Sequence, residues 1–494
     1  MSVAARYTAP VVLPCDALCT VLRDGVVDVE ADGRIGHVGA AAGAPPPPRG
    51  AGTTALSGIL MPGLVNAHAH SPMTVLRGAG GDLPLMPWLQ EVVWPAEGRL
   101  RAPDVKAGML LGCVEMLRAG VTTSVEMYFY SEQIVEAVLA AGSRAVVTPG
   151  IIAVPGWDRL GTWQQMLGAI TKWIEADGLR FGPGERVELG YGPHAAYTLP
   201  PEALAEVAAQ AREHDALMHI HVAESPAEDE AQRAGHGSVP LLLEELGALG
   251  GRVLAAHGVH LSDEDIALFA RRGVAVAHCP GSNAKLASGI ARVAQLLTAG
   301  VRVGLGTDGP ASNDDLDLWE EVRLAALLAR LSAQDAAAMT AAQALLLATR
   351  CGAAVDASGL PLGEDLLTGN PDVAHAARTR RPHDVGQHLL VRGVQTRGEG
   401  RVVHVEVHDV GPAARFERSD IGPVQSLGPA AGRGQQRRTG GQRRRVAGDR
   451  AGEHPRELHL LPQVQVVVAG RPIGAEPYRH ARREQVDQPR GAGG

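Results

Sequence analysis

The sequence predicts an α/β fold: a (β/α)8 barrel of the TIM type, preceded by a small β unit and followed by an atypical C-terminal tail. Three observations predict it. Eight short apolar runs recur between residues 58 and 310. Helix-patterned segments separate most of them. The polar residues with chemistry to offer fall at the C-terminal ends of different runs, where such barrels place their active sites. An open, doubly wound sheet would also alternate strands with helices; the position of the polar residues favours the barrel.

Residues 1–60 read as the β unit. "GVVDVEADGRIGHVGA" (25–40) alternates like a hairpin with a turn at Asp32-Gly33, and "AAGAPPPPRGAG" (41–52) reads as a surface loop. The barrel is expected over residues 61–355. Its strand candidates are "GILMPGLVNAHAH", "VTTSVEMY", "SRAVVTPGII", "VELGYGPHA", "ALMHIHVAE", "RVLAAHGVH", "VAVAHCPGS" and "RVGLGTDGP". Continuous apolar runs of this kind suit strands buried on both faces. Between them, "APDVKAGMLLGCVEMLRAG" (102–120) has helical spacing and a closing Gly. "PEALAEVAAQAREH" (201–214) opens with Pro and Glu, as helix N-termini do. "SDEDIALFARRG" (262–273) has a Ser cap, acids in its first turn and a Gly stop. "DLWEEVRLAALLARL" (317–331) follows the last run.

Composition narrows the function. The chain has 494 residues and a net charge of −8. Residues 371–494 hold 21 Arg, no Lys and 13 acidic residues, a net +8 that leaves −16 on residues 1–370. An acidic body is a poor polyanion binder, so nucleic acid is not an expected partner of the barrel. No apolar stretch has the length of a membrane span, and the N-terminus lacks the apolar core of a signal peptide. Five scattered cysteines without a C-x-x-C pair suit a reducing cytoplasm and argue against a Cys zinc site.

The histidines point to a metal site. His68 and His70 are two apart and so share one side of a strand. A lone interior His is most often a satisfied core residue, but other strand ends add His219, His221 and Glu224, then His257 and His260, then Asp308. Three imidazoles and a carboxylate at one barrel mouth match the ligands of Zn²⁺ or Fe²⁺. "GLGTDG" (304–309) also fits the G-x-G-x-x-G dinucleotide pattern. It follows seven other strands, however, and sets a carboxylate where a pyrophosphate would sit.

With these motifs the chain resembles the amidohydrolase superfamily, and within it the branch of 5-methylthioadenosine/S-adenosylhomocysteine deaminases and related aminopurine and triazine hydrolases. The resemblance is carried by "MPGLVNAHAH", "DLPLMPWLQEVVWPAEGRL", "GPHAAYT", "HIHVAE", "AAHGVHLSDEDIALFARRGVAVAHCPGSNAKLASGI" and "VGLGTDGPASNDDLDLWEEVRLAALL", from residue 58 to about 332. It implies His68, His70, His221 and Asp308 as ligands of one divalent metal, zinc or alternatively iron. It implies Glu224 as proton shuttle, His257 as the residue orienting the attacking water and Asp308 as its proton acceptor, with His219 supporting its strand. Trp88, Glu97, His194 and Ser312 fall on substrate-contact positions. Two-metal relatives usually carry a bridging lysine; none of Lys106, Lys172 and Lys285 ends the fourth strand, where "YGPHAAYT" stands instead, hence one metal. The implied reaction is hydrolytic deamination of an aminopurine nucleoside in the cytoplasm. Self-association into a homo-oligomer is left open. The alternatives are a guanine-type deaminase, a triazine chlorohydrolase, or a nucleic-acid binder working through the basic tail.

Two departures stand out. Where relatives that use S-adenosylhomocysteine often carry an Arg, "VVTPGII" has Pro149, with Arg159 a candidate substitute. That tilts the substrate toward an uncharged 5′ group. Residues 366–494, rich in Arg and Gly, lack the return strands expected to complete the sandwich begun by residues 10–60. They read either as a disordered tail or, preferably, as the product of a frame shift.

Overall fold

The structure, a computed structural model, describes residues 3–31, 35–47, 52–155, 157–355, 391–397 and 402–407. The N-terminal unit is a five-stranded sheet of β1 (Val3–Val12), β2 (Leu22–Glu30), β3 (Ile35–Ala40), β4 (Gly52–Ala55) and β5 (Ile59–Leu60). Its order is β3-β2-β1-β4, with β5 also on β1. The β2–β3 hairpin is present, while its predicted turn at Asp32-Gly33 lies outside the described residues. Ala9, Val12 and Val27 form the unit's small core. Gly25 lies against the Val12 side chain, where a Cβ would come within 2.4 Å. Arg6 and Asp28 form a buried bidentate pair, both bonds 2.6 Å long.

All eight predicted strands are present. They are β6 (Leu64–Ala69), β7 (Val121–Tyr128), β8 (Arg144–Ile151), β10 (Val187–Pro193), β11 (Leu217–Val222), β12 (Val253–His257), β13 (Ala275–His278) and β14 (Val303–Leu305). A short β9 (Arg180–Phe181) pairs antiparallel with β10. The eight run parallel in chain order. A parallel bridge between Ala69 and Asp308 joins the end of the last strand to the first, with Asp308 N donating to His68 O at 3.0 Å. The sheet is therefore a nearly closed barrel. Most strand residues are buried because side chains fill one face and helices cover the other.

The helices start and stop where their local chemistry directs. Helix Ala102–Ala119 ends at Gly120 in the left-handed region, φ 84°. Its Gly108 lies so close to Pro72 that a Cβ would sit 2.2 Å from the Pro72 carbonyl oxygen, which seats this helix under the loop after β6. Ser262 and Asp265 form a capping box before helix Asp263–Arg272, which stops at Gly273, φ 68°. Asp317 caps helix Leu318–Ala333. Among the described residues no helix is long and apolar enough to cross a membrane. The five cysteines are free thiols. Residues Val391–Arg397 and Val402–Val407 pair as an antiparallel two-stranded sheet. The reading of the rest of 366–494 as disordered or frame-shifted lies outside the described residues.

Candidate metal centre

The end of β6 brings two imidazoles to the barrel mouth, His68 fully buried and His70 slightly exposed. β11 adds His221, β12 ends on His257, and the segment after β14 adds Asp308. The site depends on unusual backbone at three positions. His257 (φ 70°) and Asp308 (φ 58°) are left-handed, as is Ala223 (φ 50°) between His221 and Glu224. At three residues' separation a regular strand would point His221 and Glu224 to opposite faces. The turn at Ala223 lets both line one cavity. Such strain gathers at functional sites.

Hydrogen bonds orient the rings. His70 Nδ1 donates to Met127 O, His221 Nδ1 to His194 O at 2.7 Å, and His257 Nδ1 to Asn283 Oδ1 at 2.9 Å. Each acceptor is a carbonyl oxygen, so each Nδ1 carries a proton and each Nε2 is turned to the site. His70 Nε2 lies 3.2 Å from His221 Nε2 and 3.2 Å from Asp308 Oδ1. His68 Nε2 lies 3.1 Å from the same oxygen. Among the described residues, buried His257 Nε2 has no hydrogen-bond partner.

Lone pairs this close repel unless positive charge lies between them. Although burial works against a charged ring, the hydrogen bond to Asp308 and its charge push His70 up to about 9. Burial and the neighbouring rings push His194 down to about 3. Burial, opposed by Asp308, likewise lowers His68 to about 3. Against its own burial, Asp308 is held well below the carboxylate range by its contacts with His68 and His70 and by the charge of His70 and His257. Its Oδ2 accepts from Ser282 Oγ at 2.6 Å and Ser312 Oγ at 2.8 Å, leaving Oδ1 to the histidines. One donor atom each from His68, His221, His257 and Asp308 lies within 4.8 Å of the others. This nitrogen and oxygen set, with an orphaned imidazole nitrogen aimed into it, suits a borderline divalent cation.

A cavity opens over these groups. His70, His221, Glu224, Asp308, Glu97 and His194 line it. Trp88, with Trp94 and Leu89 from the loop after β6, forms an apolar wall, and Trp88 Nε1 is tied to Ala79 O at 3.0 Å. Glu224 is buried, and burial raises its carboxyl above the usual range. Burial likewise pushes Glu97 up to about 7.

The other predicted residues sit further back. His68 and His257 stand behind the cavity lining, in the metal cluster. Ser312 is buried with its hydroxyl on Asp308 and Gly309, outside the lining. His219 lies behind His68. His260 bonds Ser288 O, and His236 pairs with Glu245 at the surface. Sequence reading missed Ser282 and Asn283, which hold Asp308 and His257, and the cavity residues Tyr128 and Tyr197. Ser282 and Asn283 stand in "CPGSN" directly after a strand end, the one signal that could have found them.

A parallel barrel with four imidazoles and an aspartate gathered at its C-terminal mouth defines a metal-binding hydrolase of the TIM-barrel class. The chain belongs to the Amidohydrolase family, which it matches over residues 59–364. It is 43% identical over 334 residues to a 5-methylthioadenosine/S-adenosylhomocysteine deaminase of Pelotomaculum thermopropionicum, covering 67% of this chain and 75% of that one. It is 41% identical over 331 residues to a 5′-deoxyadenosine deaminase of Methanothermobacter thermautotrophicus, covering 66% and 74%. Among solved structures it is similar to an adenosine deaminase from Xanthomonas campestris with bound zinc: TM-score 0.65, 37% identity, 72% and 80% of the two chains.

Proposed function

We infer that this chain is a metal-dependent hydrolytic deaminase of aminopurine nucleosides of the methylthioadenosine, S-adenosylhomocysteine or adenosine type. It hydrolyses the bond between a purine ring carbon and its exocyclic amino group and releases ammonia. We assign His68, His70, His221 and Asp308 as ligands of one divalent ion, zinc, with iron the alternative. When bound, the ion supplies the Lewis acidity that brings the pKa of water from about 15.7 toward ~7.

The remaining work falls to the protein. Asp308, already deprotonated, accepts the proton of the attacking water through its carboxylate. His257 presents its partnerless Nε2 to that water and holds it toward the purine carbon. Glu224, kept protonated more readily by burial, donates to the ring nitrogen beside the attacked carbon. Left as a carboxylate, Glu224 then relays the second proton of the water oxygen to the amino group, which leaves as ammonia while that oxygen stays on the ring, and the proton held by Asp308 returns to Glu224. Glu97 accepts from ribose hydroxyls, His194 stands near the base, and Trp88 closes the apolar side.

The observation that carries this reading is that Glu224 lines the same cavity as His70, His221 and Asp308 without a position in the metal cluster. The kinship with nucleoside deaminases supplies the substrate class. Zinc-loaded protein should release ammonia from adenosine analogues, and His68→Ala should lose both metal and turnover. Turnover of guanine or a chlorinated triazine, with none of any adenosine analogue, would overturn the nucleoside reading.

A further inference from the structure

Behind His68, and away from the cavity, a second buried histidine is joined to a threonine. His219 Nε2 lies 2.8 Å from His68 Nδ1. His219 Nδ1 lies 3.1 Å from Thr148 Oγ1, which is also 3.0 Å from Glu126 O. Thr148, His219 and His68 are all fully buried. They come from β8, β11 and β6, so the chain of contacts crosses the barrel interior. The Thr148 methyl lies against Gly190, where a Cβ would come within 2.9 Å of Cγ2.

Counting protons gives this row one direction. A hydroxyl has a single proton, and the Glu126 carbonyl can only accept. Both Thr148 contacts are satisfied only if Oγ1 donates to Glu126 O and accepts from His219 Nδ1–H. Neutral His219 then has a bare Nε2, which accepts from His68 Nδ1–H. His68 is left with a lone pair on Nε2, facing Asp308 Oδ1 at 3.1 Å. Two acceptors in that position are co-ligands, not a hydrogen-bonded pair.

We propose that Thr148 is a positioning residue that, through His219, fixes the metal-binding tautomer of His68. The proposal rests on the assignment of His68 as a ligand. Without the Thr148 hydroxyl, His219 Nδ1–H would be buried and unpaired, which is costly. The ring would instead carry its proton on Nε2 and donate it to His68 Nδ1. The His68 proton would then occupy Nε2, and the metal would have to displace it. Partners of metal-bound histidines at this remove typically change metal affinity ~10–100-fold.

The test is zinc affinity of the full chain by chelator competition, with the melting temperature of the metal-free protein as the check on folding. Thr148→Val should weaken zinc binding ~10–100-fold, while Thr148→Ser, which keeps the hydroxyl, should stay near the unmodified protein. In a His219→Gln background the amide oxygen accepts from His68 Nδ1–H unaided, so adding Thr148→Val should cost no further affinity. Zinc binding by Thr148→Val equal to that of the unmodified protein, or the same loss in both backgrounds, overturns the proposal. If Thr148→Val does not fold, His219→Gln must still bind zinc more tightly than His219→Phe, which offers no acceptor; equal affinities overturn it. His68→Ala separates the two levels. Loss of zinc there with full affinity in Thr148→Val removes only the role of Thr148, whereas zinc retained in His68→Ala removes the ligand assignment beneath it.

Discussion

His257 Nε2 stands 3.8 Å from Glu224 Oε1, both residues buried. The separation exceeds a hydrogen bond, and among the described residues the imidazole nitrogen has no hydrogen-bond partner. The two groups therefore face a common space, as a pair serving the nucleophile and the ring nitrogen would. Glu224→Gln is nearly isosteric and should keep its metal while turnover falls by ~10²–10⁴. His257→Gln should also retain metal and lose turnover by a similar factor. Metal analysis beside kcat decides between roles. Metal loss in His257→Gln comparable to that in His68→Ala would make His257 a ligand, as its place in the compact cluster with His68, His221 and Asp308 allows.

Asp308 depends on two serines. Ser282 and Ser312 both donate to Oδ2, and hydrogen bonds to a charged group are worth about 1.5–3 kcal/mol. Ser282→Ala and Ser312→Ala should each weaken zinc binding, and the double variant should weaken it more than either. The resemblance put Ser312 at a substrate contact. If that is its function, Ser312→Ala will raise KM and leave zinc affinity unchanged.

Glu97 gives a pH signature. Burial raises its carboxyl to about 7, so it is protonated below that pH and accepts with both oxygens only above it. For a nucleoside, kcat/KM should rise as pH increases through about 7. Glu97→Gln should abolish that limb, and a free aminopurine without ribose should never show it. Profiles of kcat/KM for the three cases suffice, because kcat/KM reports groups of the free enzyme. An unchanged limb in Glu97→Gln would assign it to another group.

The 5′ group is the fourth test. Pro149 brings no charge to the end of β8, and it is buried there. Arg159, the other cation considered, spends its guanidinium on Glu97 O at 2.9 Å, Leu100 O at 3.2 Å and Tyr130 OH at 2.5 Å. The carboxylate of S-adenosylhomocysteine thus meets no unengaged cation at either residue. Losing a charge-assisted bond of about 1.5–3 kcal/mol implies kcat/KM for methylthioadenosine about tenfold to a hundredfold higher. Equal use of the two substrates would show that Arg159 leaves its anchors to read the carboxylate.

The sequence by itself determined the strands, the helix limits and half of the site. Apolar runs such as "LVNAHA" and "LMHIHV" are long enough only for strands and carry their histidines at fixed two-residue spacing. Caps such as Ser262 and stops such as Gly273 act within one turn, so they are legible locally. The tertiary structure decided what depends on atoms far apart in the chain. Asp308 meets His68 across 240 residues only because the barrel closes. Ser282, Asn283 and Thr148 acquire their parts from whichever strand end lies opposite. Whether an imidazole offers Nδ1 or Nε2 is set by the oxygen behind it, and no periodicity in a sequence specifies that oxygen.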